Sequence, residues 1–280
     1  IIHFYEREAR RLLPALFLVL IICLPIAWFW MLPSDLKYFG QSLFSASVFS
    51  SNIFFWLKTG YFDADAEFNP LLHTWSLAVE EQFYIIFPLL LITLWKFKNF
   101  TKMVVLIAIL IISLIFASYF STIDPNFSFY LLPTRAWEIL VGVILAFYCM
   151  GNSEQSFSKI LKESLGILGL FFIVFSVLIF DKQTPFPSLY TLMPVIGTGL
   201  IILNANNGTL VHKFLSFKPL VSMGLISYSA YLWHQPILAF ARYKFVEDLS
   251  NFTTFLLCLS AIFIAYISWR FIEQPFRNFD

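Results

Sequence analysis

The sequence predicts an all-α protein, a polytopic membrane helical bundle of about eight transmembrane helices plus one short re-entrant or interfacial segment. Hydrophobic residues make up 59% of the 280 residues and charged residues only 12%, and the mean hydropathy is +0.79. Apolar runs of roughly 17 to 25 residues, the length that crosses a bilayer as a helix, recur along the chain. A formal net charge of +1 argues against a nucleic-acid partner, which would require a basic surface.

The predicted spans follow from a scan for these apolar runs. They cover residues 12–32, 77–95, 103–120, 133–150, 164–180, 189–204, 221–241 and 254–272. A ninth apolar segment, residues 41–57, contains many serines and is interpreted as re-entrant or interfacial. Whether this segment crosses decides on which side of the membrane every later loop lies, because one additional crossing would move each of these loops to the opposite side.

The positive-inside rule favours the eight-span alternative. With residues 41–57 not spanning, the basic loop around Lys96, Lys98 and Lys102 and the later basic loops share the cytoplasmic side with Arg7. The acidic loops, including residues 61–74, then face outward. The opening stretch resembles an internal loop, so we expect one membrane domain over residues 1–280 that is truncated at its N-terminus.

Residues 69–88 place ionisable side chains at the start of a predicted span. Helical spacing puts His73, Glu80 and Tyr84 on one face, with Glu81 about 100° to the side. A charge at the bilayer centre costs about 2.5 to 3.5 kcal/mol, so such residues normally face a protein interior or a water-filled cavity. The spacing of His73, Glu80 and Glu81 differs from that of zinc ligands, and no metal site is predicted.

A second polar cluster lies in the span at residues 133–150. Arg135 and Glu138 are separated by one helical turn, so they either pair with each other or point together into a cavity, and snorkelling at the outer interface is a further alternative. Gly142 is interpreted as a close helix contact.

A third cluster lies in the span at residues 221–241. Tyr231 and His234 share a helix face with Ser227, and Pro236 is expected to interrupt the helical hydrogen bonding directly after them. A histidine one turn from a proline within a span indicates a functional site.

Several sequence blocks resemble membrane-bound acyltransferase family 3. Residues 70–84 read Pro-Leu-Leu-His-Thr-Trp-Ser-Leu-Ala-Val-Glu-Glu-Gln-Phe-Tyr, the block that is diagnostic of this family. Residues 4–15, 135–142, 226–236 and 273–277 are similar to its other blocks in the same order. The resemblance is strongest to members that O-acetylate bacterial surface polysaccharides, and it implies that two further spans, with the family's signature Arg and His, precede Ile1.

The resemblance implies a multi-pass enzyme of the bacterial inner (plasma) membrane. Such an enzyme takes an acetyl or other acyl group from cytoplasmic acyl-CoA and transfers it to a hydroxyl of a carbohydrate such as O-antigen lipopolysaccharide, exopolysaccharide or peptidoglycan. Acetyl-CoA is then a donor substrate, with no bound cofactor. The expected partners are membrane lipids, the carbohydrate acceptor and an outer SGNH-type domain.

The predicted site residues combine this resemblance with the buried polar positions. The catalytic candidates are His73, Glu80, Glu81, Arg135, Glu138, Tyr231 and His234. Three arginines, Arg7, Arg10 and Arg11, are candidates for attracting the CoA phosphates. The carboxylates are expected to tune a base that lies upstream, Arg135 to offset their charge, and Tyr231 and His234 to supply donors or a proton path, with His73 as the local substitute base.

Two other classes of function remain open at this point. A transporter or flippase for lipid-linked sugars would also carry buried Arg, Glu and His, although it normally shows two similar halves. A non-enzymatic membrane scaffold would tolerate loss of the polar cluster. We also expect that the 280 residues alone are inactive, because the principal base of the family lies outside them.

Overall fold

The computed structural model describes residues 2–58, 68–151, 158–181, 184–245 and 249–277. Helices dominate these ranges, which contain no β-strand, as the all-α prediction requires. Five acidic residues assigned to the outer loops lie outside the described residues: Asp63, Asp65, Glu67, Glu247 and Asp248.

The helices follow the apolar runs of the sequence. In chain order they are α1 (Ile2–Trp30), α2 (Pro33–Ser47), α3 (Ser51–Lys58), α4 (Thr74–Leu94), α5 (Asn99–Ile123), α6 (Pro125–Tyr130), α7 (Leu132–Gly151), α8 (Lys159–Ile179), α9 (Leu192–Asn204), α10 (Leu210–Leu215), α11 (Lys218–Lys244), α12 (Asn251–Ser268) and α13 (Gln274–Arg277). A 3₁₀ turn at Leu189–Thr191 precedes α9, and a π-helical turn at Trp269–Glu273 joins α12 to α13.

Six helical segments within the described residues are long and apolar enough to cross a membrane: Ile2–Trp30, Thr74–Leu94, Asn99–Ile123, Pro125–Met150, Lys159–Ile179 and Asn251–Arg277. These correspond to six of the eight predicted spans, and the chain is a multi-pass membrane protein. The other two predicted spans are also helical. However, Leu189–Asn204 is short, and α11 is less apolar because it carries the polar cluster around His234.

The serine-rich segment at residues 41–57 forms parts of two short helices rather than one span. The 15 residues of α2 and the 8 residues of α3 each fall below the roughly 20 that a crossing helix needs. Between them, Phe49 has a φ of 53°, a left-handed conformation that ends a helix. Gln82 secures this turn, because its side-chain amide donates to the Phe49 carbonyl and exchanges hydrogen bonds with Asn52.

One compact unit comprises residues 1–82 and 222–280. Its core is a continuous apolar stripe on α1, including Leu16 and Val19, which is packed with side chains from α2, α4, α11 and α12 such as Phe39, Leu77 and Leu232.

Hydrogen bonds at two levels show that α1 and α11 run in the same direction. The Tyr228 hydroxyl donates to the Leu12 carbonyl at 2.9 Å, and the Leu32 amide donates to the Tyr243 hydroxyl at 2.8 Å. Since the residue numbers of both helices increase from the first contact to the second, the two helices are parallel.

The other unit comprises residues 83–221. Phe83, Leu106 and Leu140 form the centre of its packing between the second half of α4, α5 and α7. In α8 and α9, Gly169 and Gly197 cross so closely that a methyl group at either position would lie 2.6–2.7 Å from the other's carbonyl oxygen. The interpretation of Gly142 as a close helix contact is wrong, because a Cβ there would meet no atom within 4 Å.

Candidate active site

A turn at the start of α4 holds His73 in the first unit. The Asn69 side-chain oxygen accepts a hydrogen bond from the Leu71 amide at 2.9 Å, and the Thr74 hydroxyl donates to the Leu71 carbonyl at 2.8 Å. From α11, the Gln235 amide donates to the Asn69 carbonyl at 3.1 Å. These bonds fix the turn against α11 and bury His73, which is only 7% exposed.

Three of the predicted site residues meet at this turn. The ring centre of His73 lies 5.1 Å from that of Tyr231 and 5.4 Å from that of His234, and Tyr231 and His234 are 5.7 Å apart. The Tyr231 hydroxyl donates to the His73 carbonyl and shares a 2.8 Å hydrogen bond with the Ser76 hydroxyl. These three residues, called the His73 trio below, therefore lie together inside the first unit.

Neither ring nitrogen of His73 makes a hydrogen bond within the described residues, and both are buried. The Leu232 carbonyl is close enough to influence the ring but not at hydrogen-bonding geometry. Pro236 lies four residues after Leu232 and has no N–H, so this carbonyl has no helical donor at that position. Burial lowers the pKa of His73 to about 3, and the neighbouring His234 adds to this effect, so the imidazole is neutral at pH 7.

His234 has a defined proton arrangement. Its Nδ1 lies 2.6 Å from the Tyr231 carbonyl oxygen, which can only accept a hydrogen bond. Nδ1 therefore carries the proton in the neutral ring, and Nε2 presents a lone pair. As expected, Pro236 leaves the Leu232 carbonyl without its helical donor, while α11 itself continues through Pro236 to Lys244.

A cavity of about 480 Å³ adjoins this trio on the side toward the beginning of α1. Tyr231 and Ser76 line it together with Glu80, and Arg11 contributes a positive charge. Glu273 and Arg277 also line it, 3.3 Å apart. This cavity, called the Glu80 cavity below, thus combines positive and negative side chains with the hydroxyl groups beside His73.

The two carboxylates of α4 have different surroundings. Glu80 is exposed in this cavity, whereas Glu81 is half-buried and its Oε1 atom has no hydrogen-bond partner among the described residues. On α1, the Glu8 carboxylate forms an ion pair with Arg11 at 2.9 Å. Burying a carboxylate oxygen without a hydrogen bond costs free energy. Such oxygens are therefore typical of a site that binds a ligand or a proton.

The three arginines near the start of α1 differ in their contacts. Arg10 pairs with Glu6 at 2.7 Å, and the Arg7 Nε donates to the His3 carbonyl. Of the three, Arg11 lines the cavity. A role in binding CoA phosphates stays a prediction for all of them.

Arg135 and Glu138 lie in the second unit, where they form an intrahelical pair at 2.9 Å. This is one of the alternatives that the sequence left open. The Arg135 Nε also donates to the Phe129 carbonyl at 3.0 Å, and the guanidinium lies over the rings of both Phe129 and Phe186. Their part in catalysis stays a prediction.

A family of proteins that share an acyltransferase domain matches residues 1–270. The chain belongs to this acyltransferase family. Among curated relatives, the O-acetyltransferase OatA of Staphylococcus aureus (strain NCTC 8325) is 30% identical over 99% of this chain and 48% of the relative. The peptidoglycan O-acetyltransferase OatA of Listeria monocytogenes is 31% identical over 99% of this chain and 46% of the relative. The chain thus spans about half the length of these proteins, and no solved structure matches it.

Several site residues of this family member were missed in the sequence. Ser76 contacts Tyr231, and Glu273 is 2% exposed and accepts a hydrogen bond from Ser229 at 3.1 Å. In the sequence, Glu273 appeared only within the block at residues 273–277, and in the structure it pairs with Arg277. The signal in the sequence was a carboxylate directly before Gln274 and Pro275 in an apolar helix. The structure adds a π-helical turn, a feature often found at functional sites.

Proposed function

We propose that this chain is the membrane domain of a bacterial O-acyltransferase that transfers an acetyl group from acetyl-CoA to a hydroxyl of a cell-surface carbohydrate. The family assignment and the names of the relatives support the reaction class. The observation that carries the proposal is the arrangement of His234. Its Nδ1 is bound to a carbonyl oxygen, and its ring lies beside those of His73 and Tyr231, of which Tyr231 lines the Glu80 cavity.

The proposed reaction forms one ester bond and breaks one thioester bond. The acceptor oxygen bonds to the acetyl carbonyl carbon as the C–S bond breaks. The hydroxyl proton passes to a base and then to the sulfur of CoA, so that an O-acetyl ester and free CoA are the products. The enzyme must supply a base for the proton and hydrogen-bond donors for the developing oxyanion.

His234 is the base in this proposal. A hydrogen bond from Nδ1 to a fixed carbonyl orients the ring and leaves Nε2 free to accept a proton, as in other His-based acyl transfers. His73, neutral and without a hydrogen bond among the described residues, supplies an N–H donor for the oxyanion. Arg11 and Arg277 attract the phosphates of CoA at the cavity, since clustered guanidinium groups are favourable sites for phosphate.

The test uses the full-length protein in liposomes, radiolabelled acetyl-CoA and the surface polysaccharide of the host, freed of its native esters by mild base. Transfer is measured as base-labile label in the polymer. We expect His234→Gln to lower the transfer rate by about 10²-fold or more, the usual contribution of a general base, and His73→Gln to lower it by at least about tenfold. His212→Gln, the same change on α10 of the second unit, is the matched control and should leave the rate unchanged.

Two results would overturn the proposal. One is a folded wild-type protein that transfers no label to the polymer. The other is equal rates for the wild type and for His234→Gln. Movement of sugar lipid across the liposome without ester formation would identify a transporter instead.

A further inference from the structure

A second cavity, of about 640 Å³, lies in the first unit at the far ends of α1 and α11 from Arg11. Its described lining comes from the α1–α2 junction, α3, the turn before α4 and the end of α11. It includes Asp35, Tyr38, Phe39, Lys58, Asn69 and Tyr243. None of these residues was selected from the sequence, and none belongs to the Glu80 cavity.

The Asp35 carboxylate is held in one orientation within this second cavity. The Tyr243 hydroxyl donates to its Oδ2 at 2.7 Å and accepts from the Leu32 amide at 2.8 Å. The Ser34 hydroxyl donates to its Oδ1 at 3.2 Å. Because an ionised carboxylate accepts about four hydrogen bonds, Asp35 retains capacity for hydroxyl donors of a ligand.

Asn69 provides a second polar group, which is independent of Asp35. It is 6% exposed, and its Nδ2 atom is buried without a hydrogen-bond partner among the described residues, although its two oxygens accept from Leu71 and Gln235. A buried donor without a partner costs about 1–3 kcal/mol. Because Asn69 lines the cavity, a ligand that reaches this amide would relieve the cost.

We propose that this second cavity binds a sugar unit of the acceptor polymer. This inference rests on the proposed function and identifies the site from which the acceptor hydroxyl approaches the His73 trio. A fixed carboxylate accepts from sugar hydroxyls, an amide donates to sugar oxygens, and the partly exposed ring of Tyr38 provides an apolar surface for the C–H face. Pockets that combine a few placed polar groups with apolar walls are typical of such ligands.

The position of the cavity agrees with this role. Asn69, in its wall, belongs to the same turn as His73. On α11, Tyr243 lies about 18 Å along the helix axis from Tyr231, at 1.5 Å per residue. Lys58 is the one basic side chain among the described lining residues. A polyphosphate would require several, so the lining favours a hydroxyl-rich ligand. The donor and the acceptor thus occupy separate cavities on either side of the trio.

The test measures KM for each substrate with the full-length protein in liposomes, using acetyl-CoA and base-treated host surface polysaccharide as probes. Asp35→Asn preserves the shape of the side chain and an oxygen for Tyr243, but it removes the charge. We expect KM for the polysaccharide to rise about tenfold, equivalent to one charge-assisted hydrogen bond, while KM for acetyl-CoA is unchanged. Tyr38→Leu, which removes an aromatic wall, should also raise KM for the polysaccharide.

Asp181→Asn is the matched control, since Asp181 is an exposed acid of the second unit, and it should change neither constant. Thermal melting in detergent verifies that each variant is folded. If the wild type transfers acetyl groups but both cavity variants keep its KM for the polysaccharide, the inference is wrong while the proposed function stands. If the wild type transfers none, the proposed function itself is wrong.

Discussion

At Arg135, hydrogen bonds and ring contacts together fix one guanidinium group. The side chain is buried, at 6% exposure. It bonds to the Phe129 carbonyl and to Glu138, and the rings of Phe129 and Phe186 lie 4.8 and 4.6 Å from its central carbon. Only arginine has a planar, delocalised cation that satisfies such a combination. These contacts are sufficient to explain an arginine at this position without a bound substrate.

We therefore expect Arg135→Lys to lower the free energy of unfolding by about 1–3 kcal/mol, because an ammonium group leaves part of this buried arrangement unpaired. Thermal melting of the purified protein in detergent measures the effect. Arg10→Lys is the control, since Arg10 forms an exposed pair with Glu6 and such pairs contribute little. Unchanged melting combined with lost acetyl transfer would instead assign Arg135 a direct role in the reaction.

The sequence indicated the site residues to different extents. Tyr231 and His234 were detectable because ionisable and polar groups are rare in apolar spans, and His73 because it continues the face of Glu80 just before such a span. Asp35, Asn69 and Tyr243 were not, since they lie in loops or at a helix end, where polar residues are ordinary. Their significance comes from the tertiary contact between Tyr243 and Asp35, residues far apart in the chain.

At the scale of elements, the helices α8 and α9 show how small residues permit close approach. Gly169 and Gly197 face each other, and the ideal Cβ of each would lie 2.6–2.7 Å from the other's carbonyl oxygen. In a membrane, where hydrophobic burial does not drive helices together, such close packing is a main source of association. The crossing therefore stabilises the second unit.

A methyl group at this crossing must push backbone away, because the obstructing atom is a carbonyl oxygen. We expect Gly169→Ala to destabilise the protein by about 1–3 kcal/mol, measured as a lower melting temperature in detergent. Gly142→Ala supplies the comparison, since its Cβ would meet no atom within 4 Å. Alanine also favours helix over glycine by about 0.5–1 kcal/mol, so this variant should be neutral or slightly more stable, and equal losses in both would refute the explanation.

The elements were largely predictable from hydropathy, since all eight predicted spans are helical in the structure. The exceptions have physical causes. The helix is interrupted within residues 41–57 because Phe49 adopts a left-handed conformation. Gln82, from a distant part of the sequence, supports that conformation. The π-helical turn at Trp269–Glu273 lies at the end of the predicted span at residues 254–272, where hydropathy carries no signal for a change of helix type.

At the scale of the whole molecule, the parallel direction of α1 and α11 constrains the membrane topology. Two parallel spans require an odd number of crossings between them. Five predicted spans lie between α1 and α11, at residues 77–95, 103–120, 133–150, 164–180 and 189–204, and one more crossing at residues 41–57 would make the two helices antiparallel. The hydrogen bonds of Tyr228 and Tyr243 therefore support the eight-span alternative independently of the charge pattern.

This topology predicts which loops are accessible from outside the cell. In a variant with Cys23, Cys149 and Cys258 replaced by serine, single cysteines are introduced and intact cells are treated with a membrane-impermeant maleimide. We expect Asp181→Cys to react and Lys98→Cys to react only after the membrane is permeabilised, because positively charged loops stay in the cytoplasm. Ser34→Cys, directly after α1, should react under either alternative and serves as the control. The opposite pattern at residues 98 and 181, with residue 34 still labelled, would mean that residues 41–57 cross the membrane.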